Sequence, residues 1–278
     1  MENKKLSILA VLVNYGDEQL SYLEAVVMAL KKFEKYEITV IVQSNIPLRI
    51  EGVDKVNIIE LEDYQLLPLT CRKVVWDNRH FFDVFLYGEN DLLFEEKHVD
   101  RHLDYHNILP KNRISGLLRY ENSQGAIFYP DYHADFEWDF NSVETYGGKT
   151  FAHFTNLHQA TFILTREQLL RIGKKIDFEI LVSDPSKLFF NRVIRKIKIQ
   201  MGLKVDRLDK YSVKCKVNTD IYGFAEMKKM ICISDFEDNL IHHLPNLYID
   251  GIKGRNKFRS DQTRMNRALS KLLDKKTQ

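Results

Sequence analysis

The sequence predicts an α/β fold, in which a mixed, mainly parallel sheet is flanked by helices and followed by an elaborated C-terminal half. Leu6–Val13 is an unbroken apolar run, which is typical of a parallel strand covered on both faces. Segments with strand and helix patterns then alternate over the first hundred residues, as βαβ units require. Because no Pro-, Gly- or Ser-rich linker divides the chain, residues 1–250 are interpreted as one domain with halves at about 1–107 and 108–250.

The first half continues with a helix after the Leu6–Val13 strand. Asp17 is expected to cap this helix, whose apolar residues recur at three- and four-residue spacing from Leu20 to Leu30. Glu37–Gln43 is rich in β-branched residues, which favours a strand. The elements predicted next are a strand at Val56–Leu61, a helix at Leu69–Phe81, a strand at Asp83–Tyr87 and a helix carrying His98, His102 and His106. We interpret the three histidines as part of a solvated, salt-bridged helix face, because His98 and His106 lie two turns apart and no HExxH motif is present.

The second half is predicted to begin with strands at Ile114–Glu121 and Gly125–Tyr129. A loop rich in aromatic and acidic residues is expected at Asp131–Asp139. Thr165–Gln168 is a capping box, which predicts a short helix that Gly173 can end. Further elements are predicted as a strand at Gln159–Leu164 and a basic amphipathic helix at Pro185–Met201.

Composition excludes several classes of protein. The 41 basic and 39 acidic side chains give a net charge of +2, so wholesale nucleic-acid binding is not expected. The three cysteines form no CxxC pair, which favours a reducing, cytoplasmic compartment. No apolar run is long enough for a membrane span. The sequence also lacks the GxSxG, GxxxxGK[ST] and GxGxxG motifs of serine hydrolases, P-loop NTPases and standard dehydrogenases.

Polar residues follow two of the predicted parallel strands. Val13-Asn14-Tyr15 ends the first strand and Glu89-Asn90-Asp91 follows the fourth. Ligands of open α/β sheets bind at the carboxyl ends of strands. Two carboxylates at positions i and i+2 can converge on one Mg²⁺ or Mn²⁺, and such ions usually share phosphate oxygens with a substrate. The alternative is that Glu89 and Asp91 form only a polar turn.

This layout resembles that of the GT-A glycosyltransferases. Glu89-Asn90-Asp91 is similar to their DxD motif, with Glu89 in place of the first Asp. Asn14-Tyr15 resembles their first nucleotide-binding turn, and Leu69–Lys73 precedes the acidic strand in the expected order. Gly116–Glu121 is similar to a segment of some members, and Ile241–Tyr248 resembles the C-terminal element in which one histidine completes the metal site. The ordered set of motifs spans roughly residues 6–248.

The resemblance implies a nucleotide-binding half at about 1–107, an acceptor half at 108–250 and a divalent cation held against the diphosphate of a nucleotide sugar, by default a UDP-sugar. Neighbouring residues on an extended segment point in opposite directions, so only one of His242 and His243 is expected to reach the metal. An imidazole suits Mn²⁺ better than Mg²⁺. The candidate metal ligands are Glu89, Asp91 and His243, and the candidate nucleotide-binding residues are Val13, Asn14, Tyr15, Arg72, Lys73 and Asn90.

An inverting transfer needs a carboxylate to deprotonate the acceptor hydroxyl. Glu121 is the first candidate and Asp184 the second. Glu121 could instead pair with Arg119, and Asp184 could cap the Pro185 helix. Further acids lie at Asp131, Asp135, Glu137 and Asp139, among aromatic rings that suit sugar recognition or simply form core: Tyr129, Tyr132, Phe136 and Trp138.

The function expected from these residues is transfer of a sugar to a glycan or lipid-linked acceptor, as in polysaccharide biosynthesis. The alternatives are a non-catalytic module of the same fold that binds a nucleotide or glycan, and a metal-dependent nucleotidyltransferase. The tail at 251–278 has nine basic and two acidic residues, a net charge of +7. With apolar residues at Met265, Ala268 and Leu272, it is expected either to contact the inner, anionic face of a membrane peripherally or to pack on the domain.

Overall fold

A five-stranded sheet forms the centre of the protein in a computed structural model, which describes residues 5–133, 136–182, 200–201, 211–249 and 260–275. Three neighbouring pairs of strands are parallel, and the edge strand at Thr161–Thr165 runs antiparallel to its neighbour. The predicted mixed, mainly parallel sheet is therefore confirmed. In spatial order the strands are β11 (Thr161–Thr165), β4 (Val84–Glu89), β1 (Leu6–Asn14), β2 (Tyr36–Ser44) and β3 (Lys55–Ile58).

Helices cover both faces of this sheet. β1 is buried from Ile8 onward because α1 (Leu20–Lys31) packs on one face and α2 (Leu67–Asp77) on the other. The expected helix cap at Asp17 is wrong: Gln19 occupies the N-cap position and makes no side-chain cap. A 3₁₀ turn at Tyr64–Leu66, capped by the Asp63 carboxylate, leads into α2.

α3 (Glu96–Ile108) buries two of its three histidines, so the expected solvated face is wrong. The Nε2 of His98 lies 2.9 Å from the carbonyl oxygen of Leu240. His102 lies between Ser115 Oγ (2.9 Å) and Gln168 Oε1 (2.7 Å). Both imidazoles therefore connect elements of the core through hydrogen bonds, although they lie in a polar helical segment of the sequence.

The predicted strand at Ile114–Glu121 is two strands that belong to different sheets. β6 (Arg113–Ser115) pairs with the strand Lys228–Cys232 in a four-stranded sheet. β7 (Leu118–Ser123) instead pairs with the strands Ala126–Tyr129 and Leu240–His243 in a separate five-stranded sheet. The chain changes sheets at Gly116, where a side-chain carbon would lie 2.6 Å from Cδ of Lys229. Only glycine leaves room for that lysine.

The remaining strands complete these two sheets. β9 (Trp138–Tyr146) and β10 (Lys149–Phe154) form a hairpin, and β9 begins inside the segment that was predicted to be a loop. The capping box at Thr165–Gln168 is confirmed at the start of α4 (Arg166–Ile172), which ends at Gly173. The other elements are β5 (Leu92–Leu93), β8 (Ala126–Tyr129), α5 (Val213–Gly223), β12 (Lys228–Cys232), β13 (Leu240–His243), β14 (Ser260–Asp261) and α6 (Gln262–Asp274).

The apolar face of the tail helix α6 packs on the protein. Met265, Ala268 and Leu272 are buried against a cluster that includes Trp138 and Phe154. That face is therefore covered by protein, as in the second interpretation of the tail. No helix among the described residues is long and apolar enough to cross a membrane. The predicted Pro185–Met201 helix, Asp184 and Asp135 lie outside the described residues, apart from the last two positions of that helix.

Candidate functional site

The acidic turn Glu89-Asn90-Asp91 connects β4 to β5 and lies at the carboxyl end of the central sheet. Glu89 is in register with Val13 of β1, and its backbone N–H donates to Ala160 of the neighbouring strand (3.3 Å). Asp91 is fixed from the other side, because its carbonyl accepts from the N–H of Leu244 (2.9 Å). Strand pairing on both sides thus holds the two acids.

His243 lies between two buried carboxylates. Its Nε2 is 3.3 Å from Oδ2 of Asp91, and its Nδ1 is 2.6 Å from Oε1 of Glu121. This arrangement results from the pairing of β13 with two strands. His243 is opposite Leu92 of β5, and His242 is opposite Tyr120 of β7. His242 points to the other face, where its ring stacks on Tyr120.

These contacts set the protonation of the imidazole. Burial by itself would lower the pKa of His243, but hydrogen bonds to Asp91 and Glu121 raise it to about 9. Burial would raise the pKa of Asp91, yet the hydrogen bond with His243 and its positive charge lower it overall. The two carboxylates thus favour the protonated imidazole, and a cation that binds Nε2 would have to displace its proton.

Glu121 is fully buried and its oxygens are occupied. Besides His243, it accepts hydrogen bonds from the backbone N–H groups of Tyr248 (3.0 Å) and Ile249 (3.0 Å). A general base must reach the proton that it removes. This environment instead suits a carboxylate that orients a histidine, and Glu121 makes no ion pair with Arg119.

Two carboxylate oxygens remain open at the acidic turn. Glu89 Oε1 and Asp91 Oδ1 are both buried, and neither has a hydrogen-bond partner among the described residues. Such orphaned acceptors suit a cation. Among the described residues, no three His, Cys, Asp or Glu side chains are grouped closely enough to hold a metal ion by themselves. Mg²⁺ and Mn²⁺ commonly take only one or two carboxylates and complete their shell with water and substrate phosphate, so Asp91 and His243, with Glu89 nearby, fit that chemistry.

Asn14 and Asn90 meet each other. Asn90 Nδ2 donates to Asn14 Oδ1 (2.7 Å), and Asn14 Nδ2 donates to the carbonyl of Gly16 (2.9 Å). Both side chains are at least nine-tenths buried. They lock the acidic turn to the end of β1, and the expected contact of Asn14 with a nucleotide stays a prediction.

Arg72 and Lys73 do not join the acidic turn. Arg72 is fully buried, and its guanidinium donates to the carbonyls of Asp177, Phe178 and Ile180 and pairs with Asp220 (3.4 Å). Four of its five N–H groups are thus used in contacts within the protein core, away from the acidic turn. Lys73 is exposed and pairs with Asp77 (3.1 Å) and Glu179 (3.5 Å).

A groove of about 460 Å³ opens beside β2 and β3. It is lined by Gln43, by apolar residues including Ile59, Leu61 and Leu66, and by Lys73. Gln43 and Glu89 are both in register with Val13 and therefore lie on the same face of the sheet, two strand spacings or roughly 10 Å apart.

Tyr15 lies close to the same groove. Its ring is 62% exposed and is 5.3 Å from the ring of Tyr64, which is two residues from the groove-lining Leu66. The groove volume falls within the range of small-molecule sites, and the exposed ring of Tyr15 suits contact with a planar base.

The aromatic and acidic segment after β8 is mostly core. Tyr129, Tyr132, Phe136 and Trp138 are all buried. Asp131 forms a buried ion pair with Arg119 (2.5 Å). Burial would lower the pKa of Arg119, but the charge of Asp131 raises it. Glu137 accepts from the backbone N–H of Trp138, and Asp139 lies within 3.8 Å of Lys228. Neither is brought to the acidic turn by any of these contacts.

Lys214 on α5 was not anticipated from the sequence. It is exposed, and the negative charge of Glu89, followed by smaller contributions that include Asp91, raises the pKa of its ammonium. No motif surrounds it, and α5 itself lacks an apolar periodicity because it buries polar residues such as Asn218 and Asp220. Lys214 thus joins the site only through the fold.

Comparison with known proteins adds little to this geometry. No protein-family model matches the chain, and no curated protein matches it. Solved structures similar to the chain include 4-diphosphocytidyl-2C-methyl-D-erythritol synthase, which is 12% identical, covers 69% of this chain and all of its own, and has a TM-score of 0.35.

Proposed function

We propose that the protein is a glycosyltransferase that moves a sugar from a nucleoside-diphosphate sugar to a glycan or lipid-linked acceptor. The observation that carries this proposal is the pair of open, buried oxygens on Glu89 and Asp91 beside His243. A divalent cation bound there would stabilise the negative charge that develops on a diphosphate leaving group. The order of motifs that resembles GT-A glycosyltransferases supports the same reaction.

The surrounding residues have separate tasks in this proposal. Glu121 accepts from Nδ1 of His243 and so directs Nε2 toward the cation position, as carboxylates behind metal-binding histidines do. Asn90 and Asn14 fix the acidic turn against β1. The groove beside Gln43, roughly 10 Å from Glu89, would take the nucleoside, with Tyr15 next to its base.

Product analysis tests this function against the alternatives. The protein is incubated with Mn²⁺ and either nucleoside-diphosphate sugars or nucleoside triphosphates, and release of nucleoside diphosphate or pyrophosphate is measured. We expect slow release of nucleoside diphosphate from at least one nucleotide sugar, and loss of that release in Asp91→Asn but not in Asp104→Asn, which changes an exposed acid of α3.

Other outcomes would contradict the proposal. Pyrophosphate release from triphosphates alone would indicate a nucleotidyltransferase. Binding of nucleotide sugars with no turnover, in the presence of acceptor extracts, would indicate a non-catalytic module. An unchanged rate in Asp91→Asn would exclude the acidic turn as the reacting site.

A further inference from the structure

Lys214 is positioned by contacts that link α5 to the acidic turn. One helical turn after Lys214, Asn218 accepts from the backbone N–H of Gln159 (3.2 Å), and its Nδ2 lies 3.2 Å from Nδ1 of His158. The next residue along that segment, Ala160, accepts from the N–H of Glu89 (3.3 Å). Residues four apart share one face of a helix, so Lys214 projects toward the side on which this segment and Glu89 lie.

The ammonium group of Lys214 has no ion-pair partner among the described residues. Its side chain is exposed, while Glu89 Oε1 has no hydrogen-bond partner within the same part of the chain. Lys214 and Glu89 are near enough for their charges to interact, but they form no ion pair with each other.

Among the described residues, no side chain caps the start of α5. Ser212 occupies the N-cap position, but its side chain makes no cap and donates to Sγ of Cys215 (3.1 Å) instead. The first N–H groups of this 11-residue helix are therefore not satisfied by that side chain. The helix dipole adds positive potential at the same end.

We propose that Lys214 binds the diphosphate of the nucleotide from the side opposite the divalent cation. The assignment rests on the proposed function and names a second positive group for the leaving phosphate. In this arrangement Asp91 and His243 hold the cation, the cation and Lys214 flank the diphosphate, and the start of α5 contributes N–H groups to its outer oxygens.

Binding measurements on four chains test the assignment. Affinities for Mn²⁺ alone, and for UDP, CDP, GDP and ADP at saturating Mn²⁺, are measured by calorimetry for wild type, Lys214→Met, Lys214→Arg and Lys271→Met. Lys271 is an exposed lysine of α6 and serves as the matched control. Loss of a charge-assisted hydrogen bond predicts about 10- to 100-fold weaker diphosphate binding for Lys214→Met. Lys214→Arg should bind nearly as wild type.

The affinities for Mn²⁺ alone and for the diphosphates together distinguish a loss of diphosphate binding from a loss of structure. Mn²⁺ alone should bind Lys214→Met at least as tightly as wild type, because a positive charge near Glu89 has been removed, whereas a misfolded variant would lose Mn²⁺ as well. Diphosphate affinity in Lys214→Met equal to that of wild type would overturn this assignment and leave the proposed function intact. Absence of Mn²⁺-dependent binding of every diphosphate by the wild type would overturn both.

Discussion

Glu121 illustrates what single residues of this site do and how far the sequence reveals it. As a carboxylate at a predicted strand end, it was a reasonable candidate for a general base. The structure surrounds it with three donors, two of them backbone N–H groups of Tyr248 and Ile249, more than 120 positions later in the chain. No local pattern shows such contacts, so its role as an orienting residue could not be predicted.

Glu121→Gln tests that role. A glutamine has one acceptor oxygen and one NH₂ group. Its NH₂ group would therefore face another donor, either the N–H of Tyr248 or Nδ1 of His243. We expect Mn²⁺ affinity to fall about 10- to 100-fold, as when residues behind a metal ligand are changed. Mn²⁺ binding is followed by electron paramagnetic resonance, with Glu226→Gln as the control because Glu226 is exposed. Unchanged Mn²⁺ affinity together with loss of sugar transfer only would restore Glu121 as the base.

At the scale of elements, the sequence predicts the strands and helices that carry a strong local signal. The Leu6–Val13 run and the capping box at Thr165 each carry their own signal, and both elements are present. β9 is not predicted, because Trp138 and Asp139 at its start continue a segment of aromatic and acidic residues that is typical of a loop. α5 was missed because its buried residues include Lys216, Asn218 and Asp220, which leave no apolar stripe.

The buried histidines of α3 predict an acid-sensitive core. Burial lowers the pKa of His98 and of His102 to about 4, so both are neutral in the folded protein at pH 6, whereas the unfolded chain binds protons below about pH 6.5. The unfolded state therefore binds more protons between pH 6.5 and 4. The free energy of unfolding should fall as the pH is lowered through that range, by up to about 3 kcal/mol for each imidazole.

Urea denaturation of His102→Gln at several pH values measures this effect. The variant should lose less stability than wild type between pH 6.5 and 4, because one of the imidazoles that stay neutral in the folded protein in this range is gone. His80→Gln, which replaces an exposed histidine, should follow the wild-type curve. Parallel curves for wild type and His102→Gln would show that His102 does not contribute to the acid sensitivity.

At the scale of the whole molecule, the candidate site depends on strands from distant parts of the chain. β1 and β4 meet in the central sheet, and β5, β7 and β13 meet in another, so that Glu89, Asp91 and His243 approach one edge. The sequence predicts the central sheet and the acidic turn, because both are encoded locally. It cannot predict the position of Lys214 or the Glu121–His243 contact, which arise only when the sheets assemble.

Direct Mn²⁺ binding is the measurement that tests this account most directly. Electron paramagnetic resonance of Mn²⁺ titrated into the protein, with a saturating nucleoside diphosphate present, reports the number of bound ions and their affinity. We predict one site in wild type and in Asp104→Asn, and loss of that site in Asp91→Asn, which removes the charge from the central ligand. Wild-type binding of Mn²⁺ that persists unchanged in Asp91→Asn would contradict the assignment of the acidic turn as a metal site.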